Sequence, residues 1–176
     1  MNRTILQGDV LEKLVEINDS SIDCIISSPP YWGLRDYGVS GQLGLEPDFR
    51  DYLSTMNDIM IQLKRVLKNT GTCWINLGDT YNSSGSSSDH PRHWDGREKN
   101  IDGGIKQTTN SLQTKSRMGI PERFYINCID DGWIARNHIL WYKSNSMPSS
   151  VKDRFTNKWE SIFFFVKQQK YYFDLD

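Results

Sequence analysis

The sequence predicts an α/β fold, in which strands of a mostly buried sheet alternate with helices. Short apolar runs recur along the chain, segments with helical periodicity lie between them, and polar clusters follow the runs directly. Such strands are joined in parallel by right-handed crossovers, and their sheets bind ligands beyond the carboxyl ends of the strands. A chain of 176 residues suits one domain with its own core, which we assign to residues 1–176.

The first quarter of the chain contains a helix start and the first long strand. After the apolar run Thr4–Leu6, Asp9 stands at the N-cap position of a helix and Glu12 at its third residue, the arrangement of a capping box. Ile22–Ile26 predicts a buried strand. It ends at Ser27-Ser28-Pro29-Pro30, because consecutive prolines cannot continue a hydrogen-bonded ladder.

The strongest helix of the sequence begins after Pro47. Its apolar residues recur at three- and four-residue spacing, and Asn69 and Gly71 are predicted to close it. Thr72–Leu77 then predicts a second buried strand, with Gly78-Asp79 at its C-terminal end.

Residues 82–118 interrupt the alternation of strands and helices. Serines and scattered charges replace apolar periodicity there, so we predict a flexible loop whose length indicates function or disorder. A helix from Pro121 to about Gly132 and a strand over Trp133–Tyr142 follow. Two further apolar runs predict an antiparallel C-terminal hairpin, with arms at 161–166 and 171–173 and a turn at 167–170.

Composition narrows the class of protein. The net charge is −1, although residues 143–170 carry six basic and two acidic side chains that could meet phosphates. Cys24, Cys73 and Cys128 form no CxxC pair, which argues against disulfides and zinc and predicts buried free thiols. No apolar run approaches the roughly 20 residues of a membrane span, and the N-terminus lacks a secretory signal. We therefore expect a cytoplasmic protein.

The corner Ser28-Pro29-Pro30-Tyr31 carries most of the functional information. Two prolines after a strand fix the backbone and leave carbonyl oxygens without partners, between a hydroxyl and an aromatic ring. A planar heterocycle could stack on Tyr31 while its amino group donates to the Ser28 hydroxyl and to the Ser28 or Pro29 carbonyl. Such acceptors favour a nitrogen whose lone pair attacks a methyl group. An ordinary turn is the alternative interpretation. The polar clusters expected to converge with this corner are Gly8-Asp9 and Gly78-Asp79.

Several segments together resemble the N4-cytosine/N6-adenine DNA methyltransferases. Ser-Ser-Pro-Pro-Tyr-Trp-Gly-Leu-Arg-Asp-Tyr-Gly at 27–38 is similar to the family's catalytic motif, and the similarity continues through 71–81, 141–148 and 153–160 in the family's order. It covers nearly everything except 82–118. The resemblance implies a partial Rossmann-like fold of the S-adenosylmethionine-dependent methyltransferases. It also implies that the protein methylates a base turned out of the DNA duplex, as part of restriction-modification.

The resemblance also implies roles for single residues. Ser28, Pro29, Pro30 and Tyr31 would hold the target base and its amine, with Ser28 also next to the cofactor. Asp9 would contact the adenine end of S-adenosylmethionine, although a helix cap alone would also explain it. Serine rather than Asp or Asn before the prolines favours cytosine N4, with adenine N6 as the alternative. C5 methylation is disfavoured because no cysteine follows a proline.

Basic residues beside these motifs are candidates for contacts with DNA phosphates. They are Arg35, Lys143, Lys152 and Arg154, and ordinary surface charge is the alternative for each. The histidines, His90, His93 and His138, have no metal-ligand spacing with nearby cysteines or carboxylates, so we assign no metal site.

One motif of the family, the Phe-x-Gly-x-Gly turn at the methionine part of the cofactor, has no counterpart in this sequence. The family's sheet has the order 3-2-1-4-5-7-6, and the strands here resemble the third to the seventh. Ile25-Ile26 would then lie at an unpaired edge, and Thr4–Leu6 would lack its neighbour. We therefore expect an incomplete domain that binds cofactor weakly or not at all by itself, with a complementing chain or a second copy over that edge. The alternatives are a truncated remnant that binds only DNA or a partner, and RNA or another amine as substrate.

Overall fold

The computed structural model describes residues 3–82, 111–146 and 149–175. Its elements are, in chain order, α1 (Val10–Val15), β1 (Ile22–Ser27), α2 (Phe49–Val66), β2 (Leu67–Leu77), α3 (Ile120–Asp130), β3 (Ile134–Tyr142) and β4 (Trp159–Val166). The predicted α/β class is confirmed. Most of the predicted flexible loop, residues 83–110, lies outside the described residues. No helix in the described part of the chain is long and apolar enough to span a bilayer.

The sheet is mixed. Within the described ranges it has four strands in the order β1-β2-β4-β3; β1 and β2 are parallel, and β4 is antiparallel to both of its neighbours. With β1 as the family's fourth strand, this is the 4-5-7-6 part of the order that the resemblance implies. The implied third strand is not formed, since Thr4–Leu6 is not a strand and Ile5 is 93% exposed. Without a neighbouring strand this segment has no ladder to join.

The longest helix passes directly into the next strand. α2 ends at Val66, and β2 begins at Leu67, where the backbone turns to φ −69° and ψ 134°. The prediction that Asn69 and Gly71 close the helix is therefore wrong. The N–H of Ser21 donates to the carbonyl of Val66 at 2.9 Å, which aligns the end of α2 with the start of β1. Pairing with β1 thus outweighs the local preference for another helical turn.

One face of the sheet is covered by helices and holds the core. Cys73, Ile75 and Leu77 of β2 alternate onto this face and are almost completely buried, as are Phe163 and Phe165 of β4. The helices contribute Phe49, Tyr52, Met56 and Met60 from α2, and Phe124 and Cys128 from α3. Burial of every second residue is what a strand covered on one face requires, and the periodicity of α2 supplies the matching apolar stripe.

The predicted C-terminal hairpin is wrong in its second arm. The chain bends at 167–170, but residues 171–175 contain no strand. Both edges of β4 are already paired, with β2 on one side and β3 on the other, so a returning strand has no free edge. The antiparallel C-terminal part of the sheet is formed by β3 and β4 instead. The returning segment is attached at another point, where the N–H of Tyr172 donates to the carbonyl of Thr70 at 2.9 Å.

This returning segment contributes rings to an aromatic cluster on the second face of the sheet. Trp74 of β2 stacks on Phe164 of β4, with ring centroids 4.0 Å apart. Phe173 and Tyr171 lie 5.7 and 5.8 Å from the same phenylalanine ring. These aromatic contacts cover the middle of the second face, near β2 and β4.

β1 is one of the two edge strands of the sheet in the described residues, and β3 is the other. β1 pairs only with β2 in this part of the chain, which places Ile25-Ile26 at an edge, as predicted. The prediction that β1 is buried is wrong, since Ile26 is 81% exposed and Cys24 is exposed as well. Both side chains lie on the face opposite the helices, beyond the aromatic cluster. Cys24 is therefore not the buried thiol that the apolar run suggested, whereas Cys73 and Cys128 are buried.

Candidate active site

The corner after β1 is anchored from α2. The hydroxyl of the buried Tyr52 donates to the carbonyl of Pro30 at 2.9 Å. The indole N–H of the buried Trp32 donates to the carbonyl of Glu46, also at 2.9 Å. Because the prolines have a fixed φ and no N–H, these bonds hold in place a segment that cannot join the sheet.

The other side of the corner presents acceptors. Ser28 is exposed, and within the described ranges no hydrogen bond reaches the carbonyl of Ser28 or of Pro29. Only the carbonyls further along are engaged, that of Pro30 by Tyr52 and that of Tyr31 by the N–H of Leu34 at 3.3 Å. The carbonyls of Ser28 and Pro29 thus have no partner in the described part of the chain, which is a condition of the predicted role in holding an amine.

Gly78 lies against the ring of Tyr31. This contact brings together two of the three predicted polar clusters, the corner and Gly78-Asp79. A Cβ atom on Gly78 would lie 2.6 Å from Cε2 and 2.8 Å from Cδ2 of the Tyr31 ring. No real Cβ comes so close, so only glycine lets the ring rest against the end of β2. The prediction that polar strand ends converge therefore holds for the corner and Gly78.

The hydroxyl of Tyr31 lies in a polar network that the sequence argument missed. Nδ2 of Asn76 donates to the Tyr31 hydroxyl at 2.9 Å, and this hydroxyl donates to Oε2 of Glu160 at 3.0 Å. Ser28 Oγ lies 3.3 Å from the same hydroxyl, and Lys143 Nζ pairs with Oε1 of Glu160. Burial raises the pKa of Tyr31 to about 12, so the phenol is neutral at physiological pH.

Asp79, the neighbour of Gly78, turns towards α3. Its buried carboxylate accepts from the backbone N–H groups of Gly119 and Ile120, both at 3.1 Å, and from Nε of Arg117 at 2.8 Å. The N-cap residue of α3, Gly119, has no side chain to cap the helix, so Asp79 provides the cap from another element. Asp79 therefore stabilises the start of α3, a structural role that was not predicted from the sequence.

Asp9 caps α1, as predicted. Its Oδ1 accepts from the N–H groups of Leu11 at 2.9 Å and Glu12 at 3.3 Å. No contact between Asp9 and the Ser28–Tyr31 corner occurs among the described residues, and Asp9 is exposed. The Gly8-Asp9 cluster thus makes no contact with the other two.

The four basic candidates have different surroundings. Arg35 and Lys152 are exposed, and the guanidinium of the exposed Arg154 lies 3.8 Å from the ring centroid of Tyr81. Lys143 is the exception, because it pairs with Glu160 inside the network around Tyr31.

The described residues contain no group of three His, Cys, Asp or Glu side chains that could hold a metal ion. His138 lies in β3, where its Nε2 is 2.8 Å from the hydroxyl of the buried Ser161. His90 and His93 lie outside the described residues.

Comparison with known proteins identifies the family. Residues 22–176 match the N6_N4_Mtase family, described as DNA methylase. The Type II methyltransferase M.SmaI of Serratia marcescens is 40% identical over 174 residues, which cover 97% of this chain and 58% of that protein. The chain thus spans little more than half the length of this relative.

Two solved structures share the fold. The PvuII DNA methyltransferase, described as cytosine-N4-specific, has a TM-score of 0.63 at 19% identity, over 93% of this chain and 49% of that one. A putative DNA modification methylase from Thermus thermophilus, in complex with S-adenosyl-L-methionine, has a TM-score of 0.61 at 18% identity, over 95% of this chain and 54% of that one. At these identities the likeness establishes the fold, in agreement with the observed strand order.

The family match includes the whole di-proline corner, the end of β2 that carries Gly78, and the start of β4 that carries Glu160. From this match, together with the strand order and the anchored corner, we conclude that the chain belongs to the N6/N4 DNA methylase family.

Proposed function

We propose that this chain is the catalytic, base-binding part of a DNA methyltransferase that transfers a methyl group from S-adenosylmethionine to N4 of cytosine. One observation carries the proposal: the anchored corner after β1 offers an exposed serine hydroxyl and two unpaired carbonyls beside an aromatic ring. Family membership supports the chemistry. The description of M.SmaI as a Type II methyltransferase supports a role in restriction-modification, in a cytoplasmic protein with access to DNA.

The corner suits an amine that needs help to react. The lone pair of a nucleobase amine is delocalised into the ring, so acceptors on its N–H groups favour the pyramidal form that can attack. Ser28 Oγ and the Ser28 or Pro29 carbonyl are such acceptors, and the base stacks on Tyr31 after it leaves the duplex. When bound, S-adenosylmethionine would supply an electrophilic methyl group, and its sulfonium would leave as the neutral thioether when the carbon–sulfur bond breaks. The amine nitrogen forms the new bond to the methyl group and releases one proton to solvent.

The choice of cytosine N4 depends on Ser28. By family resemblance, serine before the two prolines favours N4 of cytosine, whereas Asp or Asn favours N6 of adenine. Adenine N6 remains the alternative, and the same acceptors would also hold the amine of an RNA base. A chain that binds only DNA or a partner is the non-enzymatic alternative.

The described residues fit one end of the cofactor. Oδ1 of Asp9 caps α1, while Oδ2 accepts no hydrogen bond within the described ranges and can contact the adenine end. Ser28 is exposed, and we propose that it contacts the cofactor as well as the target amine. No Phe-x-Gly-x-Gly turn occurs in the sequence, so the methionine end has no counterpart here.

Phosphate contacts are proposed for three of the four basic candidates. Arg35, Lys152 and Arg154 are exposed, and Arg154 is held over an aromatic ring that limits its freedom. Lys143 already pairs with Glu160, so we propose that its main role is in the network around Tyr31. A contact with a DNA phosphate is its second proposed role.

A complementing chain, or a second copy, is proposed to cover the open edge at β1. The edge exposes Ile26, and M.SmaI is longer than the segment matched here. We expect the 176-residue chain alone to bind S-adenosylmethionine weakly or not at all in calorimetry, and to bind it stoichiometrically once co-expressed with a polypeptide that carries the glycine-rich turn. Ile26→Lys should prevent this gain, whereas Ile61→Lys, at an exposed position on α2, should not. Tight binding by the chain alone would contradict the need for a partner.

The activity itself is tested by methyl transfer from labelled S-adenosylmethionine to DNA, followed by nucleoside mass spectrometry. The chain is assayed alone and with the complementing polypeptide. We expect N4-methylcytosine in DNA from the form that binds cofactor. If N6-methyladenine appears instead, the target is adenine and not cytosine. If only RNA is methylated, the substrate is RNA and not DNA. Cofactor binding without any methyl transfer would favour the non-enzymatic alternative.

A further inference from the structure

Three side chains surround the phenol oxygen of Tyr31, and chemistry restricts how they share hydrogens. Nδ2 of Asn76 lies 2.9 Å from this oxygen, Oε2 of Glu160 lies 3.0 Å from it, and Oγ of Ser28 lies 3.3 Å from it. A phenol has one hydrogen to donate, an amide nitrogen only donates, and an ionised carboxylate only accepts. The phenol hydrogen therefore goes to Glu160, and Asn76 donates to the phenol oxygen.

The orientation of the Asn76 amide is settled by Glu160. Nδ2 of Asn76 also donates to Oε2 of Glu160, at 3.1 Å. With the amide turned over, its oxygen would lie at that distance from a carboxylate oxygen, and two acceptors would repel each other. Because the Tyr31 hydroxyl and Oε2 of Glu160 are themselves 3.0 Å apart, both acceptors lie on the same side of the amide nitrogen and share its donation.

Glu160 accepts because it remains ionised. Burial opposes its negative charge, but hydrogen bonds from Lys143, Asn76 and Tyr31 outweigh this effect and hold the pKa of Glu160 below its ordinary value. The groups that act on the carboxylate come from three elements: Tyr31 from the corner, Asn76 from β2, and Lys143 from the segment after β3. At neutral pH this carboxylate has no proton to give back.

The hydroxyl of Ser28 is left with one possible role in this network. Since the only phenol hydrogen is directed to Glu160, Ser28 can approach Tyr31 only as a donor. Its own hydrogen then points inward to the phenol oxygen, and its lone pairs remain for a group outside the chain. The exposed position of Ser28 leaves room for such a group.

We propose that Glu160 and Asn76 are positioning residues that fix the direction of the hydrogen bond between Ser28 and Tyr31, so that the Ser28 hydroxyl acts only as an acceptor towards the target amine. The statement about the amine rests on the proposed function, whereas the direction of the hydrogen bond does not. Without this control, Ser28 could point its hydrogen at the amine and repel the N–H group that it should hold. A brace that merely ties the corner to β4 would need the same contacts but would not depend on their direction.

Stabilisation of the Tyr31 phenolate by Ser28 can be tested in the 176-residue chain without any activity. 2,3-Difluorotyrosine is incorporated at position 31, because its phenol ionises at a lower pH, and the ionisation is followed by fluorine NMR. Ser28→Ala should raise the pKa of this phenol, since a donor that stabilises the phenolate is lost. Glu160→Gln should lower it, since a neighbouring negative charge is lost. Ser27→Ala, at the adjacent residue, is the matched control and should leave it unchanged.

A higher phenol pKa in Ser28→Ala is the result that the proposal requires, because Ser28 is proposed to donate to the oxygen of Tyr31. If the pKa falls, the serine does not stabilise the phenolate and the proposal is wrong. If it does not change, the two side chains share no hydrogen bond, and the proposal is equally wrong. The dispersion of the fluorine signals and the circular dichroism of each variant show that the chain remains folded.

A second measurement uses the form of the protein that methylates DNA. Glu160→Gln should lower kcat about tenfold, the effect of weakening one hydrogen bond in the transition state, with little change in the KM for DNA. In a Ser28→Ala background the same substitution should have no further effect on kcat, because the two residues act through one hydroxyl. Additive losses would indicate a structural brace. If no form of the protein methylates DNA, the proposed function fails, while the NMR titration still tests whether Ser28 donates to the phenol oxygen of Tyr31.

Discussion

Ser28→Ala is expected to lower the rate of methyl transfer about a hundredfold, the loss seen when one preorganised hydrogen-bonding partner of a reacting group is removed. The alanine variant keeps the carbonyls of Ser28 and Pro29 but removes the hydroxyl that holds the second N–H of the amine. Because Ser28 is exposed and its hydroxyl makes one long bond, at 3.3 Å to Tyr31, the fold should be nearly unaffected. The measurement is the single-turnover rate with saturating cofactor and DNA.

Two control variants separate loss of the hydroxyl from disturbance of the corner. Ser28→Thr retains a hydroxyl at the same position and should recover part of the rate. Ser27→Ala removes the adjacent hydroxyl, which makes no hydrogen bond in the described part of the chain, and should retain the wild-type rate. A Ser28→Ala variant with at least half of the wild-type rate would show that the amine is held elsewhere.

Asp79→Ala is expected to lower the free energy of unfolding by about 2–3 kcal/mol, the cost of leaving the N–H groups at the start of a helix without their buried acceptor. The carboxylate is 2% exposed and satisfies Nε of Arg117 together with two N–H groups at the start of α3. Alanine leaves all three donors without their acceptor and α3 without its cap. Urea unfolding of the 176-residue chain, followed by circular dichroism, measures the loss.

Asp79→Asn is the informative partner of that variant. The amide oxygen can still accept a hydrogen bond, so the loss should be clearly smaller than for alanine. Asp58→Ala removes a carboxylate from the exposed face of α2 and should change the free energy of unfolding by less than about 0.5 kcal/mol. Equal stability of Asp79→Ala and Asp58→Ala would mean that α3 does not depend on this cap.

The corner could be predicted because its chemistry is local in the sequence. Ser28, the two prolines and Tyr31 are consecutive, and the end of the strand before them follows from the missing proline N–H groups. The network around Tyr31 could not be predicted in the same way. Asn76 and Glu160 are 45 and 129 residues from Tyr31, and each occurs in a segment whose apolar residues dominate the pattern.

The differences between the predicted and the observed elements also have a common origin. The start of β2 at Leu67, the missing second arm of the hairpin and the exposed β1 all depend on which strand lies beside which. Periodicity predicts that a segment is apolar on one side or on both, but it does not say whether a neighbour is present to cover it. For that reason the prediction that β1 is a strand was correct, whereas the prediction that Cys24 is buried was wrong.

The sequence by itself determined the α/β class, the rigid corner after β1, and the family to which that corner points. Short-range effects, such as the fixed φ of proline and the repeat of apolar residues along a helix, are sufficient for these conclusions. The tertiary structure alone decided that Gly78 supports the ring of Tyr31 and that Asp79 caps α3. It also brought Asn76 and Glu160 to the phenol oxygen, because sheet pairing places the end of β2 beside the start of β4.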